Sequence, residues 1–201
     1  MLPSTVLLEP ETEIHEPQTE TQPRRKKNVV PPPATTALRT RYFAYGSNLS
    51  ATQMAQRCPD SPAEGLGLLR GWRWIINERG YANVVEGEDE DSDGPPLGVY
   101  GVLYSLSPDD EEVLDMYEGV PRSYQKVSLP VEVVDDADIA GGATSVVALV
   151  YVDKLRIQPS VPKAEYVNRM NRGIIEATKE WALPARYVEE VMRPFIPAAM
   201  E

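Results

Sequence analysis

Arg41-Tyr-Phe-Ala-Tyr-Gly-Ser-Asn-Leu-Ser50 is the stretch on which the reading of this chain turns. Tyr42 to Tyr45 form an aromatic, apolar run of the kind that makes a buried strand. The run breaks at Gly46, and Ser47 and Asn48 are residues of tight turns. A helix signal follows at once. Ser50 and Gln53 have the spacing of a capping box, and Leu49 and Met54 that of a hydrophobic staple. A strand, a glycine turn and a helix start, in that order, aim several backbone N–H groups at one point. Such a concavity suits an anion or a developing oxyanion, although many such turns only join a strand to a helix.

The composition narrows the chemistry. With 201 residues and 42% apolar content, the chain can build one domain with a substantial core. A net charge of −11 argues against nucleic acid and against avid binding to anionic membranes, both of which need clustered cations. No apolar run approaches the length of a membrane span. The single cysteine, Cys58, has no partner for an internal disulfide. Beside Pro59, at an expected helix end, it reads as a half-buried small hydrophobe. The only histidine, His15, lies in a segment that reads as unfolded. A Ser-His-Asp or Cys-His mechanism therefore has no base, and a histidine-rich zinc site has no ligands. Carboxylates, tyrosines or backbone amides must carry any catalysis.

Residues 1–39 differ from the rest. Seven of the nineteen prolines lie here, among Glu, Thr and Gln, and this arm is expected to be disordered. Its basic cluster, Arg24-Arg25-Lys26-Lys27, reads as a solvated tail in preference to a nuclear import signal. The apolar run Val6-Leu7-Leu8 is too short for a secretory signal, and nearby acids argue against a mitochondrial transit peptide. The expected location is cytoplasmic.

The folded domain is expected over residues 40–201. Gly65 to Glu86 reads as a hairpin, with one arm from Leu66 to Asn77 and a turn at Glu78-Arg79-Gly80. Glu86 to Pro96 is an acidic loop whose spacing does not fit an EF-hand. A strand is expected over Leu97–Leu106. A helix follows from Pro108, capped by Ser107, with Val113, Leu114 and Tyr117 as its apolar stripe and Gly119 as its end. Strands Gln125–Val134 and Ser145–Val152 form a second hairpin. Ser160-Val161-Pro162 opens a helix whose core-facing stripe runs through Val167, Met170, Ile174, Ala177 and Trp181. Gly173 lowers helix propensity there, which points to close packing. Leu183-Pro184 starts a last helix. The expected class is α+β: a small mixed barrel-like sheet, closed or half-closed, with flanking helices.

Glu118 stands out within its own helix. It occupies the last turn, where a carboxylate faces the negative end of the macrodipole, whereas Asp109, Asp110 and Glu111 are well placed in the first. Dipole and burial together are expected to raise its pKa, as a general base working near neutrality needs. An exposed helix-end glutamate is the alternative.

The longer strings carry a resemblance. Tyr-Phe-Ala-Tyr-Gly-Ser-Asn-Leu resembles the substrate-binding loop of the gamma-glutamylcyclotransferase family. Asp115-Met-Tyr-Glu118-Gly resembles its second motif, and Pro162-Lys-Ala-Glu-Tyr166 a third. The hairpin segments Leu69-Arg-Gly-Trp-Arg-Trp and Tyr81-Ala-Asn-Val are also similar, so the likeness runs from about Arg41 to Tyr187. It departs from the family at Lys179-Glu180-Trp181, where the turn before Leu183 is longer, and in the acidic loop.

The resemblance implies the family's reaction, release of 5-oxoproline and a free amino acid from a gamma-glutamyl amino acid, as in glutathione metabolism. Glu118 falls on the catalytic base. Tyr42, Phe43, Ala44, Tyr45, Gly46, Ser47, Asn48, Leu49 and Tyr166 fall on the substrate-binding positions. The turn would donate N–H groups to the carbonyl oxygen or substrate carboxylate, and Tyr45 and Tyr166 would hydrogen-bond the glutamyl part. Arg122 or Arg79 could pair with a carboxylate, or be ordinary surface arginines. The implied partner is a small gamma-glutamyl compound, with a homodimer as the one assembly allowed for and neither nucleic acid nor membrane. No metal or organic cofactor is implied. Two alternatives keep the fold: a cyclotransferase for gamma-glutamyl amines of the isopeptide type, and a non-catalytic binding module.

Overall fold

The computed structural model describes residues 38–87, 98–134 and 144–199. The proline-rich arm before Leu38 and nearly all of the acidic loop lie outside the described residues. So do the segment between the strands of the second hairpin, at 135–143, and residues 200–201.

Strand β1 (Thr40–Ala44) pairs antiparallel with β5 (Gly98–Leu106) and parallel with β7 (Ser145–Val152). Its parallel contact at Tyr42 and Leu149 closes the sheet into a barrel of order β1-β5-β2-β6-β7. Here β2 is Ala63–Arg70 and β6 is Gln125–Val134. Closure removes the free edges that an open sheet would expose. Pro130, which has no N–H to donate, sits where β6 pairs with β7 alone, since β2 meets β6 only at Glu132–Val134. The barrel interior and the helix-facing side bury Phe43, Val102, Leu103, Tyr104, Leu106, Val131 and Val150.

The first expected hairpin takes a different form. Its long arm breaks at Gly71, whose φ of +74° lies in the left-handed region. Residues before the break join the barrel as β2. Residues after it, β3 (Trp72–Ile76), pair with β4 (Ala82–Glu86) in a separate two-stranded sheet. That sheet is tethered rather than free. Trp74 Nε1 donates to the Tyr45 carbonyl at 3.0 Å, and Asn83 exchanges hydrogen bonds with the Asp153 backbone at 2.9 Å.

Helices flank the barrel. Helix α1 (Ala51–Arg57) is capped by Ser50, whose hydroxyl accepts from the Gln53 N–H at 3.0 Å. The reciprocal half of the box does not form, because the Gln53 amide bonds Ser47 and Asn48 instead. Helix α2 (Pro108–Glu118) has the expected Ser107 cap and ends at Gly119 with φ +67°. Its N-terminus is fixed by Asp110, which accepts from the Asp60 N–H and the Ser61 hydroxyl. Tyr117 is 59% exposed and leaves the expected apolar stripe. Helix α3 (Ala164–Trp181) begins later than Ser160, with Lys163 as its cap residue. Ala185–Tyr187 then turns helically and continues as a π-helical turn, Val188–Met192.

Gly173 explains how α3 seats itself. A Cβ there would lie 3.1 Å from Leu49 Cβ and 3.3 Å from the Ser50 nitrogen. The glycine lets the helix backbone press directly on the turn that follows β1.

Candidate active site

The 3-10 turn Ser47–Leu49 between β1 and α1 is clamped from three directions. Within the turn, the Leu49 N–H donates to the Gly46 carbonyl at 2.9 Å. From α1, the Gln53 amide donates to Ser47 Oγ and Asn48 Oδ1 at 3.0 and 2.8 Å. From α3, Arg169 Nη2 donates to Ser47 Oγ at 2.7 Å, and the Glu176 carboxylate accepts from the Ser50 hydroxyl at 2.7 Å. Gly46 has no room for a side chain, as a Cβ would stand 2.8 Å from Tyr166 Oη.

Above this turn lies a cavity of about 200 Å³. Tyr42, Tyr45, Gly46, Ser47, Asn48, Glu118 and Tyr166 line it. The fold thus brings together residues up to 124 positions apart, from the end of β1, the end of α2 and the first turn of α3. Phe43, Ala44 and Leu49 do not line it. They are fully buried in the core, where they support the turn from behind.

Glu118 is only partly exposed, and what is open faces the cavity. Burial pushes its carboxyl from an ordinary 4.5 up to about 7. Arg57, then Arg169, the Asn48 amide and Arg79 oppose that rise. The Asn48 Nδ2 donates to Glu118 Oε1 at 3.2 Å and to Tyr42 Oη at 3.0 Å. Its orientation is fixed from the other side, because Asn48 Oδ1 accepts from Gln53 Nε2 and from Arg57 Nη1 at 2.9 Å. Two donors on the oxygen leave the amide nitrogen no choice but to face the carboxylate.

The tyrosines divide by where their protons go. Tyr45 donates its hydroxyl proton to the Tyr151 carbonyl, Tyr124 to the Ala82 carbonyl at 2.7 Å and Tyr151 to Asp115 Oδ1 at 2.6 Å. Tyr45 therefore walls the cavity with its proton already committed, so any hydrogen bond it makes to a ligand must be one it accepts. Tyr166 Oη instead accepts from the Ser47 N–H at 3.2 Å, and Tyr42 Oη accepts from Asn48. Neither hydroxyl donates to a described residue, so both keep a proton for whatever enters. Burial pushes the Tyr166 hydroxyl up to about 12, which keeps it a neutral donor. The Ser47 N–H, expected to meet a ligand directly, is taken up by Tyr166 Oη.

Three arginines also face the cavity: Arg57, Arg79 and Arg169. Arg57 lies over the Tyr117 ring at 4.6 Å, and Arg169 over the Tyr166 ring at 5.3 Å. A chain of net charge −11 thus concentrates cations around one carboxylate. Arg122 is exposed and lines no part of the cavity. Sequence reasoning missed Arg57 and Arg169. A signal was available for the second, since Arg169 follows Tyr166 by three residues and shares its helix face. Among the described residues, no group of three His, Cys, Asp or Glu side chains is placed to hold a metal, and no helix is long and apolar enough to cross a membrane. Cys58 is fully buried rather than half-buried, and burial pushes its thiol up to about 11.

The fold has known counterparts. An uncharacterized protein from Homo sapiens, loc79017, superposes with a TM-score of 0.62 at 19% identity, over 82% of this chain and 91% of that one. A structure described as gamma-glutamyl cyclotransferase matches with the same TM-score and identity, over 81% of this chain and 90% of its own. YkqA from Bacillus subtilis matches at 0.58 and 20% identity, over 80% of this chain and 56% of that one. At these identities the likeness speaks to the fold. No curated protein sequence matches the chain significantly. The family assignment rests on the sequence itself: residues 42–168, well over half of the chain, match the family described as gamma-glutamyl cyclotransferase, AIG2-like. The chain belongs to the gamma-glutamyl cyclotransferase, AIG2-like family.

Proposed function

We propose that residues 40–201 form a cyclotransferase domain that converts small gamma-glutamyl compounds into 5-oxoproline and a free amine component, with Glu118 as base and then acid. The observation that carries this reading is a single half-buried carboxylate whose pKa is pushed to about 7, facing a cavity lined by arginines and tyrosines. A base poised near the working pH is what proton transfer from an amine requires. The cavity, at about 200 Å³, is smaller than the roughly 300–1,000 Å³ usual for drug-sized ligands, and its cations suit an anionic metabolite.

In the proposed reaction the substrate supplies its own nucleophile. The free alpha-amine attacks the gamma-carbonyl carbon, closing a five-membered ring, and its proton passes to the Glu118 carboxylate. The oxyanion takes a hydrogen bond from Tyr166, whose hydroxyl is aligned by the Ser47 N–H. As the bond from the carbonyl carbon to the leaving nitrogen breaks, Glu118 returns the proton to that nitrogen. Holding the folded conformer supplies much of the rate, since effective molarities reach roughly 10⁵ M or more. A cytoplasmic place and a link to glutathione-derived substrates belong to the same reading.

The test is a product assay on a panel of gamma-glutamyl amino acids and gamma-glutamyl amines, reading 5-oxoproline by mass spectrometry. Release from one or more members is expected. Absence of 5-oxoproline with every member, from protein that is folded, would favour a binding module and overturn the reading.

A further inference from the structure

Two of the three cavity arginines are committed to the protein. Arg57 donates to Asn48 Oδ1, and Arg169 donates to Ser47 and Gln53. The Arg79 guanidinium makes no hydrogen bond to a described residue. The anion nearest to it is Asp153 Oδ2, 3.9 Å from Nη1, too far for a hydrogen bond. That carboxylate oxygen already accepts from Arg156 Nη1 at 2.8 Å and Asn77 Nδ2 at 3.0 Å. Arg79 Nη1 is buried without a partner. The rings of Tyr81 and Tyr124, each 5.5 Å from the guanidinium carbon, fix its position but satisfy none of its N–H groups. A held, under-compensated cation on a cavity wall is prepared for an anion.

Its place in the cavity says which anion. Tyr42 and Tyr45 are almost wholly buried and mark the inner end. The Arg79 side chain is 30% exposed and Tyr117 is more exposed still, so these two lie at the mouth. The half of a substrate that cyclises must reach Glu118 and Tyr166. The leaving half must face the mouth.

We propose that Arg79 binds the alpha-carboxylate of the leaving amino acid, so that the site selects gamma-glutamyl amino acids over gamma-glutamyl amines that lack this group. The proposal rests on the cyclotransferase reading. A guanidinium fork matches a carboxylate with two parallel hydrogen bonds, a geometry that an ammonium cannot copy.

The experiment compares gamma-glutamyl-alanine with gamma-glutamyl-ethylamide, in the wild-type protein and in Arg79→Gln. The wild type should prefer the alanine compound by roughly 10- to 100-fold in kcat/KM, mainly through KM, as one charged hydrogen-bonding contact predicts. In Arg79→Gln that preference should collapse towards unity. Arg79→Lys, which keeps a cation between the two rings, should fall between them, and it replaces the Gln variant if that fails to fold. No preference in the wild type would overturn the proposal. Equal losses on both substrates would overturn it as well, by assigning Arg79 to the glutamyl half. If the wild type releases 5-oxoproline from neither compound nor from any other gamma-glutamyl substrate, the cyclotransferase reading itself fails.

Discussion

Glu118→Gln tests the electrostatics of the site through stability as well as through rate. Glutamine copies the shape and donor ability of a protonated carboxyl but cannot ionise. In the folded protein Glu118 titrates at about 7 against an ordinary 4.5. Between those values the folded state holds a proton that the unfolded state has released. Stability contributed by this group is therefore present below about pH 4.5, falls as pH rises through the window, and levels off above about 7. At about 1.4 kcal/mol per unit, the ionised carboxylate costs the fold about 3 kcal/mol at pH 8. The variant escapes that cost. Its melting temperature should exceed that of the wild type by about 6–12 °C near pH 8, from about 2–4 °C per kcal/mol in a domain of this size. The difference should vanish near pH 4.5. Turnover should meanwhile fall by roughly 10² or more, the contribution of a positioned base. Scanning calorimetry across pH, with 5-oxoproline release on the same samples, reads both. A melting difference that does not change with pH would refute the argument that burial sets this pKa. Full turnover by the folded variant would remove Glu118 from the chemistry.

Three further outcomes are expected. Arg57→Met removes the foremost charge holding the Glu118 pKa down, so the acid limb of kcat/KM against pH should move above 7, and an unmoved limb would count against the coupling. Gly46→Val places side-chain atoms within 3 Å of Tyr166 Oη, so kcat/KM should drop at least about 10-fold and the melting temperature should fall; near-normal kinetics would show that the turn does not shape the cavity. Gly173→Ala gains up to about 1 kcal/mol in helix propensity but forces a methyl to 3.1 Å from Leu49, so overpacking of about 1–3 kcal/mol should win and chemical denaturation should show net destabilisation.

Local rules carried most of the strands, the Ser50 and Ser107 caps and the singling out of Glu118. Gln125–Val134 and Ser145–Val152 are bounded by changes of periodicity that any reader of the chain can find, and both strands have those limits in the fold. Glu118 was visible because it breaks a rule within its own helix. The break at Gly71 falls inside what reads as one hairpin arm, yet the two halves join different sheets. Phe43, Ala44 and Leu49 were grouped with the site because they share a motif with it. Neighbours in a motif serve it in different ways, some by touching a ligand and some by filling the space behind. Arg57 and Arg169 escaped notice for the converse reason. They come from unconnected segments, and only the three-residue spacing of Arg169 from Tyr166 hints that either one meets the site.

The split at Gly71 has a consequence for how such a site can diversify. The Ser47–Leu49 turn follows β1, and Glu118 ends the helix that follows β5, both of them strands of the closed barrel. Arg79 and Tyr81 stand at the tip of the satellite sheet, outside that barrel. On the proposed function, substitutions or length changes at that tip should alter which amine component is accepted and leave the proposed proton-transfer geometry intact. On the proposed function, reaction and selectivity would sit on separate pieces of chain, and a lineage could exchange one without rebuilding the other.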